Sequence, residues 1–411
     1  MTKLRVELYG TIIGELAGDD RRSIDFTVSD QALERFGVNS PVLSVSIPLQ
    51  RNQPRGQSGR RGNWFRELLP EGDQYEYMLA QRRLRSGDTL GFLAAYGRDI
   101  AGAVQLWDPT DPFEPREPSI SPVTDGQVRR LLEDPVASPL ANQTFGGKSS
   151  IGGVQPKIVL VWTERGWAQA LDGYPSTHIL KPEVASQKTL IFDEEYGIRL
   201  ANRLGLAPYE ARIAEFDGLA ALQIERFDRA NGARIHQEDF NQVLGAQGIE
   251  KYQEFGGKVT LKRVAQSLIG RTPRRDLQDL ARMVILSVAI GNLDMHAKNI
   301  GLLHLESGRV RLAPAYDMVP HLRLAGNDGR MALAINGKYV HANISTSDIE
   351  TELQSWRLPN VRKMITETLE NILEVVHKEE PDPRSQPLLR DDLYQITASL
   401  LAGQPIGKLD N

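Results

Sequence analysis

Cysteine is absent from this chain of 411 residues. The absence excludes a disulfide-stapled scaffold, cysteine-ligated zinc, an iron–sulfur cluster and a thiol nucleophile. An excess of one charge is also lacking, because 49 Lys and Arg residues face 53 Asp and Glu residues and leave a net charge of −4. Nucleic acid is therefore not the expected direct partner of this chain.

Long apolar runs are missing as well. The longest strongly apolar run covers residues 283–290, whereas a bilayer span needs roughly 20 apolar residues. The first residues alternate like a strand and lack the apolar core of a signal peptide. We therefore predict a cytoplasmic protein that does not associate with a membrane. At roughly 100–200 residues per domain, the length allows two or three domains.

The N-terminal third changes its pattern along the chain. Residues 3–8, 11–16 and 42–48 have the short β-rich character of an antiparallel sheet. Helical spacing takes over in residues 64–93. Residues 51–61 carry four arginines among Gly, Ser and Pro. They predict a solvated loop, with a loop that contacts phosphate or a partner as the alternative.

The segment that carries the most chemistry is residues 287–303. A long apolar helix is predicted to end near Gly291, a polar loop with Asp294 and Asn299 follows, and a β-hairpin then leads to Asp317. This is the order of a kinase catalytic loop and its metal-binding aspartate. An aspartate can take the proton of an acceptor hydroxyl, and Asn and Asp oxygens suit Mg²⁺. We therefore predict Asp294 as the base and Asn299 with Asp317 as metal ligands; simple turn capping is the alternative.

Three weaker features precede that loop in the order that phosphoryl transfer requires. Residues 145–161 place two Gly-rich turns before a strand, where backbone N–H groups could hold phosphates; an ordinary β-turn is the alternative. Lys181 ends an apolar strand and could neutralise ATP phosphates and pair with an acid such as Glu195; an edge-strand lysine that reaches solvent is the alternative. Residues 219–229 form a strand that could serve as an adenine-binding hinge, or as a core strand with a charged end.

Seven short motifs resemble the HipA family of bacterial toxin serine/threonine kinases. They are SSIGGVQPK (149–157), HILK (178–181), DEEY (193–196), ERFDR (225–229), HQEDF (236–240), DMHAKN (294–299) and AYD (315–317). The amino-terminal subdomain of that family is resembled by LSVSIPL (43–49), NWFRELLPEGDQ (63–74) and GRDIAGAVQLW (97–107). Residues 340–411 match the family only in being helical.

The resemblance implies an α+β, two-lobed kinase related to the phosphatidylinositol-kinase-like fold. We place an N-terminal β-rich subdomain at residues 1–108 and a helical C-terminal lobe with the catalytic loop at residues 231–411. The nucleotide-binding part would cover residues 143–230. Seven prolines between residues 109 and 139 predict that residues 109–142 form a connection between the domains.

The resemblance also implies the site residues, with ATP and Mg²⁺ bound. The implied ATP contacts are Gly152, Gly153, Val154, Gln155, Pro156, Lys157, Lys181, Glu225, Arg226, Phe227, His296, Ala297, Lys298, Asn299, Tyr316 and Asp317. Family members autophosphorylate a serine just before the Gly-rich loop, which matches Ser150, with Ser149 as the alternative. One departure is Met295, which stands where the family commonly has glycine and gives the loop backbone less freedom.

The implied function is transfer of the ATP γ-phosphoryl group to a serine of a cellular protein, with aminoacyl-tRNA synthetases among the family's targets. The implied partner is a small helix-turn-helix antitoxin of the HipB type, through which DNA would be contacted only indirectly. The rival hypothesis is a catalytically silent module that binds the antitoxin and co-represses its operon. A kinase of a lipid or a sugar is a third hypothesis, although a separate β-rich subdomain would be an unusual addition to one.

Overall fold

A computed structural model describes residues 2–19, 23–136, 147–149, 151 and 155–409. The chain divides into two compact units. Unit 1 contains Met1–Pro182, Ala214–Glu238 and Leu303–Val310. Unit 2 contains Glu183–Ile213, Asp239–Leu302 and Arg311–Asn411. Among the described residues, no helix is long and apolar enough to cross a bilayer.

Unit 1 begins with a four-stranded antiparallel sheet in the order β3-β2-β1-β4. Its strands are β1 (Thr2–Leu8), β2 (Thr11–Asp19), β3 (Ser23–Val28) and β4 (Gln105–Trp107). Tyr9 and Gly10 both have positive φ, which suits the tight turn between β1 and β2. Alternating residues of β1, including Leu4 and Val6, are fully buried.

Four helices of unit 1 follow β3 along the chain and supply much of the same apolar core. They are α1 (Asp30–Phe36), α2 (Ser58–Arg66), α3 (Gly72–Gln81) and α4 (Thr89–Tyr96). The helical pattern in residues 64–93 is thus confirmed, although it is divided among three helices. Ser29 caps α1 and Asp88 caps α4, since each side chain accepts a backbone N–H of the first turn.

Two local predictions in this region are wrong. Residues 42–48 form bends rather than a strand, and the N–H of Val45 donates to Glu238 Oε1 at 2.9 Å. The arginine-rich loop is also partly helical, because residues 58–61 open α2. Arg61 is buried there and makes a two-pronged ion pair with Asp25, at 2.6 and 2.9 Å. In both segments, a side chain that is distant in the sequence, Glu238 or Asp25, binds the segment and stabilises its conformation.

The second sheet has six strands in the order β5-β7-β6-β8-β10-β9. They are β5 (Ser119–Pro122), β6 (Ile158–Thr163), β7 (Gly166–Leu171), β8 (His178–Pro182), β9 (Ala211–Phe216) and β10 (Leu219–Glu225). Helix α5 (Asp125–Glu133) packs on it through Val128 and Leu132. The proline-rich stretch therefore supplies β5 and α5. The domain boundaries at residues 108, 142 and 230 stay predictions.

Within the described part of the chain, seven further strands complete the sheets. Their bounds are β11 (Arg229–Ala230), β12 (Ala233–Arg234), β13 (His236–Asp239), β14 (Gly301–His304), β15 (Val310–Leu312), β16 (Arg330–Ile335) and β17 (Lys338–Val340). They form a β11-β12 pair, a β13-β14-β15 sheet and a β16-β17 pair.

Unit 2 is mainly helical. Its helices are α6 (Leu190–Arg203), α7 (Phe240–Leu244), α8 (Leu261–Leu268), α9 (Arg274–Ala289), α10 (Thr346–Gln354), α11 (Val361–Lys378) and α12 (Leu389–Leu401). Helix α9 is buried along most of its length, and its apolar second half is buried on all sides, because α8, α11 and α12 pack against the helix. This buried helix is the rigid element that carries the candidate catalytic loop.

Candidate active site

The end of α9 sets where the polar loop begins. Gly291 has a φ of 66°, and a Cβ at this position would lie 2.4 Å from Leu322 Cδ1. The N–H of Asn292 then donates to the Ser287 carbonyl at 2.8 Å. Glycine therefore meets both a backbone and a packing requirement at this helix end.

The loop is held by its own backbone. The carbonyl of Asp294 accepts hydrogen bonds from Asn299 Nδ2 at 2.8 Å and from the His296 N–H at 2.7 Å. The Asp294 side chain is 42% exposed, and its Oδ2 lies 3.8 Å from His296 Nε2. A short 3₁₀ turn, Ala297–Asn299, completes the loop. The backbone of the predicted base thus positions the predicted metal ligand, while the carboxylate stays accessible.

The ring of Tyr252 packs against His296. The two rings meet edge to face, with centroids 5.3 Å apart. His296 is only 6% exposed, so its imidazole is fixed beside the Asp294 carboxylate. No motif in the sequence singled out Tyr252.

Asp317 follows the β14–β15 hairpin as predicted. Its φ is 56°, in the left-handed region that is uncommon for non-glycine residues but that Asp and Asn adopt more readily than most. The side chain of Asn292 links it to the loop, because Nδ2 donates to the Asp317 carbonyl at 3.3 Å and Oδ1 accepts from the Asp294 N–H at 3.3 Å. Asn292 thereby ties the backbone of the predicted base to that of the predicted metal ligand Asp317, a role that sequence reasoning missed.

A close approach of α6 supports the segment after Asp317. A Cβ added to Gly197 would lie 1.8 Å from the carbonyl oxygen of Met318. Any side chain here would displace that backbone. Glycine in the middle of a helix is otherwise unfavourable, so the approach explains its presence.

Two tyrosines brace the same segment. Tyr316 Oη donates to the Lys298 carbonyl at 2.7 Å, and Tyr209 Oη donates to the Ala315 carbonyl at 2.8 Å. Burial raises the pKa of both phenols, and the negative charge of Asp317 adds to the rise. Both side chains therefore act as neutral hydrogen-bond donors at physiological pH.

The side-chain oxygen atoms of Asn299 and Asp317 suit a cation that is bound together with phosphates. Because Nδ2 of Asn299 is committed to the Asp294 carbonyl, its Oδ1 faces away and is the atom suited to a metal. Within the described ranges, no group of three or more His, Asp or Glu side chains could hold a metal ion. Mg²⁺ in phosphoryl-transfer sites commonly takes one or two carboxylates and completes its shell with phosphates and water. Asn299 and Asp317 match that pattern.

Met295 is compatible with its position in the loop. It is not among the residues with positive φ, and its side chain is 5% exposed. The backbone therefore does not require glycine here, and the side chain adds to the core beneath the loop.

Lys181 lies in unit 1 on β8, opposite Leu222 of β10. Since β8 is an interior strand and Lys181 is 6% exposed, the alternative of an edge-strand lysine that reaches solvent is wrong. A buried ammonium group requires negatively charged company. Glu195, the acid suggested as its partner, forms an ion pair with Arg199 at 2.9 Å.

The predicted phosphate loop is only partly described. Gly152, Gly153, Val154 and Ser150 lie outside the described residues. Lys157 is buried, and its carbonyl accepts a hydrogen bond from Gln74 Nε2 of α3 at 3.0 Å. The downstream end of the loop is thus tied to the amino-terminal helices.

The hinge-like segment has a structural role that the sequence did not indicate. Glu225 is exposed and Phe227 half-buried. Arg226 is buried, with Nε and Nη2 donating to Asp228 at 2.9 and 2.8 Å and Nη1 donating to Ser176 Oγ at 2.8 Å. Any contact of Arg226 with a nucleotide would therefore come from its backbone.

Asp228 belongs to a buried ionic cluster in unit 1. Arg226 and Arg229 both pair with it, and Arg229 also reaches Asp99 at 2.9 Å. Burial alone would raise the pKa of Asp228, but the two guanidinium charges outweigh it and hold the pKa well below its usual range. The ion pairs among these four buried side chains therefore connect the GRDIAG segment to the ERFDR segment.

Glu238 of the HQEDF motif is a second buried carboxylate in unit 1. It accepts hydrogen bonds from Trp64 Nε1 at 2.8 Å, from His304 Nε2 at 2.9 Å and from the Val45 N–H. Burial would raise its pKa, but the charge and hydrogen bond of His304 lower it. Glu238 therefore organises the core of unit 1.

Comparisons with known proteins agree with these motifs. A family model described as HipA N-terminal domain matches residues 4–107. A second, HipA-like C-terminal domain, matches residues 149–377, which is more than half of the chain. The chain belongs to the HipA family.

Two curated relatives and one solved structure extend the comparison. A Sinorhizobium fredii protein named "Putative kinase Y4mE" is 31% identical over 390 residues, which cover 91% of this chain and 90% of the relative. The serine/threonine-protein kinase toxin HipA of Shewanella oneidensis is 28% identical over 376 residues, covering 87% and 84% of the two chains. A Shewanella oneidensis HipA structure, solved as a toxin–antitoxin complex with HipB and operator DNA, matches with a TM-score of 0.78 at 24% identity over 97% and 96% of the two chains. This chain therefore has the mixed α/β HipA fold.

Proposed function

We propose that this protein is an ATP- and Mg²⁺-dependent serine/threonine-protein kinase of the HipA toxin type. The two kinase lobes would have a phosphatidylinositol-kinase-like fold and follow the amino-terminal subdomain. The observation that carries the proposal is the linkage of Asp294 to Asp317 through Asn292 and of Asn299 directly to the Asp294 carbonyl. A protein that only binds a partner has no need to tie these three residues together through their backbones.

Asp294 would act as the base. Its carboxylate would accept the proton of a substrate serine hydroxyl as that oxygen bonds to the γ-phosphorus of ATP. The bond from the γ-phosphorus to the oxygen that bridges to the β-phosphate breaks, and ADP leaves with that electron pair. Magnesium, when bound, would neutralise phosphate charge.

Other residues would bind and orient ATP. Lys181 supplies a buried positive charge for phosphates, and residues 152–157 would offer backbone N–H groups. The segment Glu225–Phe227 would frame adenine. The remaining proposed contacts are His296, Ala297 and Lys298 of the loop and Tyr316 of the segment that follows β15.

Autophosphorylation near Ser150 would inactivate the kinase. A phosphoryl group adds about −1.5 to −2 charges, which would repel the phosphates of ATP at the Gly-rich loop. Protein phosphorylated there should bind ATP more weakly than the Ser150→Ala variant in equilibrium dialysis. Equal affinities would refute this form of self-inactivation.

The proposed partners follow from the family resemblance, and the Shewanella oneidensis complex with HipB and operator DNA supports the antitoxin. A small helix-turn-helix antitoxin of the HipB type would bind this chain and make the DNA contacts, and the protein substrate would be a cellular protein such as an aminoacyl-tRNA synthetase. Copurification with the Asp294→Asn protein followed by mass spectrometry would identify both.

The direct test is transfer of labelled phosphate from ATP by freshly dephosphorylated protein. We expect label on the protein itself or on an added synthetase, and none from Asp317→Ala. Absence of transfer from the dephosphorylated wild type, with antitoxin binding retained, would favour the silent co-repressor module instead.

A further inference from the structure

Ser149 is bound inside unit 1 rather than exposed at a loop. It is 2% exposed, and its Oγ donates a hydrogen bond to Asp99 Oδ2 at 3.1 Å. The backbones of the two residues form a parallel bridge, and the Asp99 N–H donates to the Lys148 carbonyl at 3.0 Å. Side chain and main chain thus fasten the same short segment to Asp99.

Asp99 is a strong acceptor for that hydroxyl. It is 1% exposed and pairs with Arg229 at 2.9 Å, and it also accepts the Ser176 N–H at 3.3 Å. Burial would raise the pKa of Asp99, but the charges of Arg229, Arg226 and Arg234 outweigh burial and lower it. The carboxylate is therefore ionised, and hydrogen bonds to ionised acceptors are stronger than neutral ones.

The chain is fastened on both sides of residues 152–154. Upstream, Lys148 Nζ contacts the buried carboxylate of Glu114, and Ile151 lies in the apolar core of unit 1. Downstream, the Lys157 carbonyl is bound by Gln74. Ser149 and Asp99 supply the hydrogen-bonded part of the upstream attachment.

We propose that Ser149 is a positioning residue that anchors the start of the phosphate loop through Asp99, and that it does not accept phosphate itself. This inference rests on the proposed function. The anchor fixes where the Gly-rich segment begins and so lowers the entropy that ATP binding would otherwise cost. A phosphate on Ser149 would place a further charge of about −1.5 to −2 against a buried carboxylate, which disfavours transfer to this residue.

Ser44 offers a matched control. It is fully buried in the same unit, and its hydroxyl likewise hydrogen-bonds a buried carboxylate, that of Glu238. Ser44→Ala therefore deletes the same group from the same kind of contact at a place without a proposed role in ATP binding. A general effect of losing such a contact should appear in both variants.

The kinetic test compares these variants in phosphoryl transfer. In Ser149→Ala we expect the KM for ATP to rise about tenfold with kcat within about twofold of wild type. Ser44→Ala should keep both constants within about twofold, while its melting temperature falls at least as far. An unchanged KM in Ser149→Ala, or an equal rise in Ser44→Ala, would overturn the inference.

Hydrogen exchange of the protein without ATP tests the anchor independently of the reaction. Ser149→Ala should speed exchange of the Asp99 amide and of peptides covering residues 147–157, and Ser44→Ala should not. Unchanged exchange in Ser149→Ala would refute the anchor even if ATP binds. If wild type bound no ATP, the proposed function and the ATP-positioning role would both fail, and the exchange data would still decide the anchor.

Mapping of the modification completes the test. Fragmentation mass spectrometry of autophosphorylated wild type should place phosphate on Ser150, and Ser149→Ala should still be labelled. Phosphate on Ser149 itself would contradict the inference.

Discussion

Asp228 and Asp294 carry the same carboxylate in opposite surroundings. Asp228 is 3% exposed and pairs with two arginines. The side chain of Asp294 is 42% exposed, and its backbone carbonyl rather than its carboxylate organises the neighbouring residues. In this chain, buried and charge-paired acids hold segments together, whereas an accessible acid on a braced backbone is suited to proton transfer.

This contrast separates two kinds of motif in one family. ERFDR, GRDIAG and HQEDF supply the charged side chains of the buried networks of unit 1, which are those of Asp99, Arg226, Asp228, Arg229 and Glu238. DMHAKN and AYD place theirs on a loop and on the irregular segment that follows β15 in unit 2. Substitutions in the first group should change the free energy of unfolding, and substitutions in the second should change the reaction rate.

The largest expected effect is on catalysis. Asp317→Asn removes the negative charge proposed to bind magnesium, yet asparagine tolerates the left-handed backbone. We expect kcat to fall about a thousandfold, with a melting temperature within a few degrees of wild type. A steady-state kinase assay and a thermal melt check both. Loss of folding instead of rate would place Asp317 with the structural acids.

Asp228→Asn should do the reverse. It leaves Arg226 and Arg229 buried without their main counter-charge, and breaking a buried pair in this way costs about 3–5 kcal/mol. Urea denaturation should show this loss in the free energy of unfolding. Glu306→Gln, which disrupts an exposed pair with Arg35, is the control and should cost less than about 1 kcal/mol. Equal losses in the two variants would show that buried, charge-paired acids stabilise the fold no more than exposed ones.

Gly197→Ala tests whether the close packing of α6 against the Met318 backbone affects the candidate active site. Alanine would force the Met318 backbone away from α6, so we expect a loss of about 1–3 kcal/mol of stability together with a lower kcat. The same exchange at Gly59, an exposed glycine of α2 whose Cβ would meet nothing within 4 Å, should stabilise by up to about 1 kcal/mol. Denaturation and kinase assays of both variants give the comparison, and equal effects would count against the close approach.

The pH dependence of stability should reveal His236. Burial lowers the pKa of this ring to about 3, and the charge of His304 adds to the effect. Above about pH 6.5 the ring is neutral in both states. Below that, the unfolded chain binds a proton that the folded protein takes up only near pH 3, so stability falls with falling pH.

The slope from one such group is about 1.4 kcal/mol per pH unit. Urea denaturation between pH 6.5 and 4.5 should therefore give a slope smaller by about this amount in His236→Gln than in wild type. His377→Gln, at an exposed position on α11, should keep the wild-type slope. An unchanged slope in His236→Gln would show that the ring is protonated in the folded protein.

Local patterns in the sequence predicted the candidate site residues better than they predicted the residues that hold them in place. The apolar helix, polar loop, hairpin and Asp317 follow one another within some 40 residues, so periodicity and turn residues were enough to place them. The roles assigned to Asp294, Asn299 and Lys181 stay predictions. Asn292 was overlooked because its function depends on two backbone groups that only the fold brings together.

The networks of unit 1 could not be read from local pattern. Val45 and Glu238 are 193 positions apart, and Arg229 and Asp99 are 130 apart. The β-rich segment at residues 42–48 satisfies its backbone with such distant side chains and so does not enter a sheet. Pairings of this range follow from the folded core, not from the spacing of residues along the chain.

The central claim is that Asp294 performs chemistry and does not stabilise the fold or bind ATP. The most direct measurement is the single-turnover rate of phosphoryl transfer by Asp294→Asn at saturating Mg²⁺ and ATP, with ATP affinity measured on the same sample. We predict a rate about a hundredfold or more below wild type, with ATP affinity within about twofold. A rate within twofold of wild type would contradict the account.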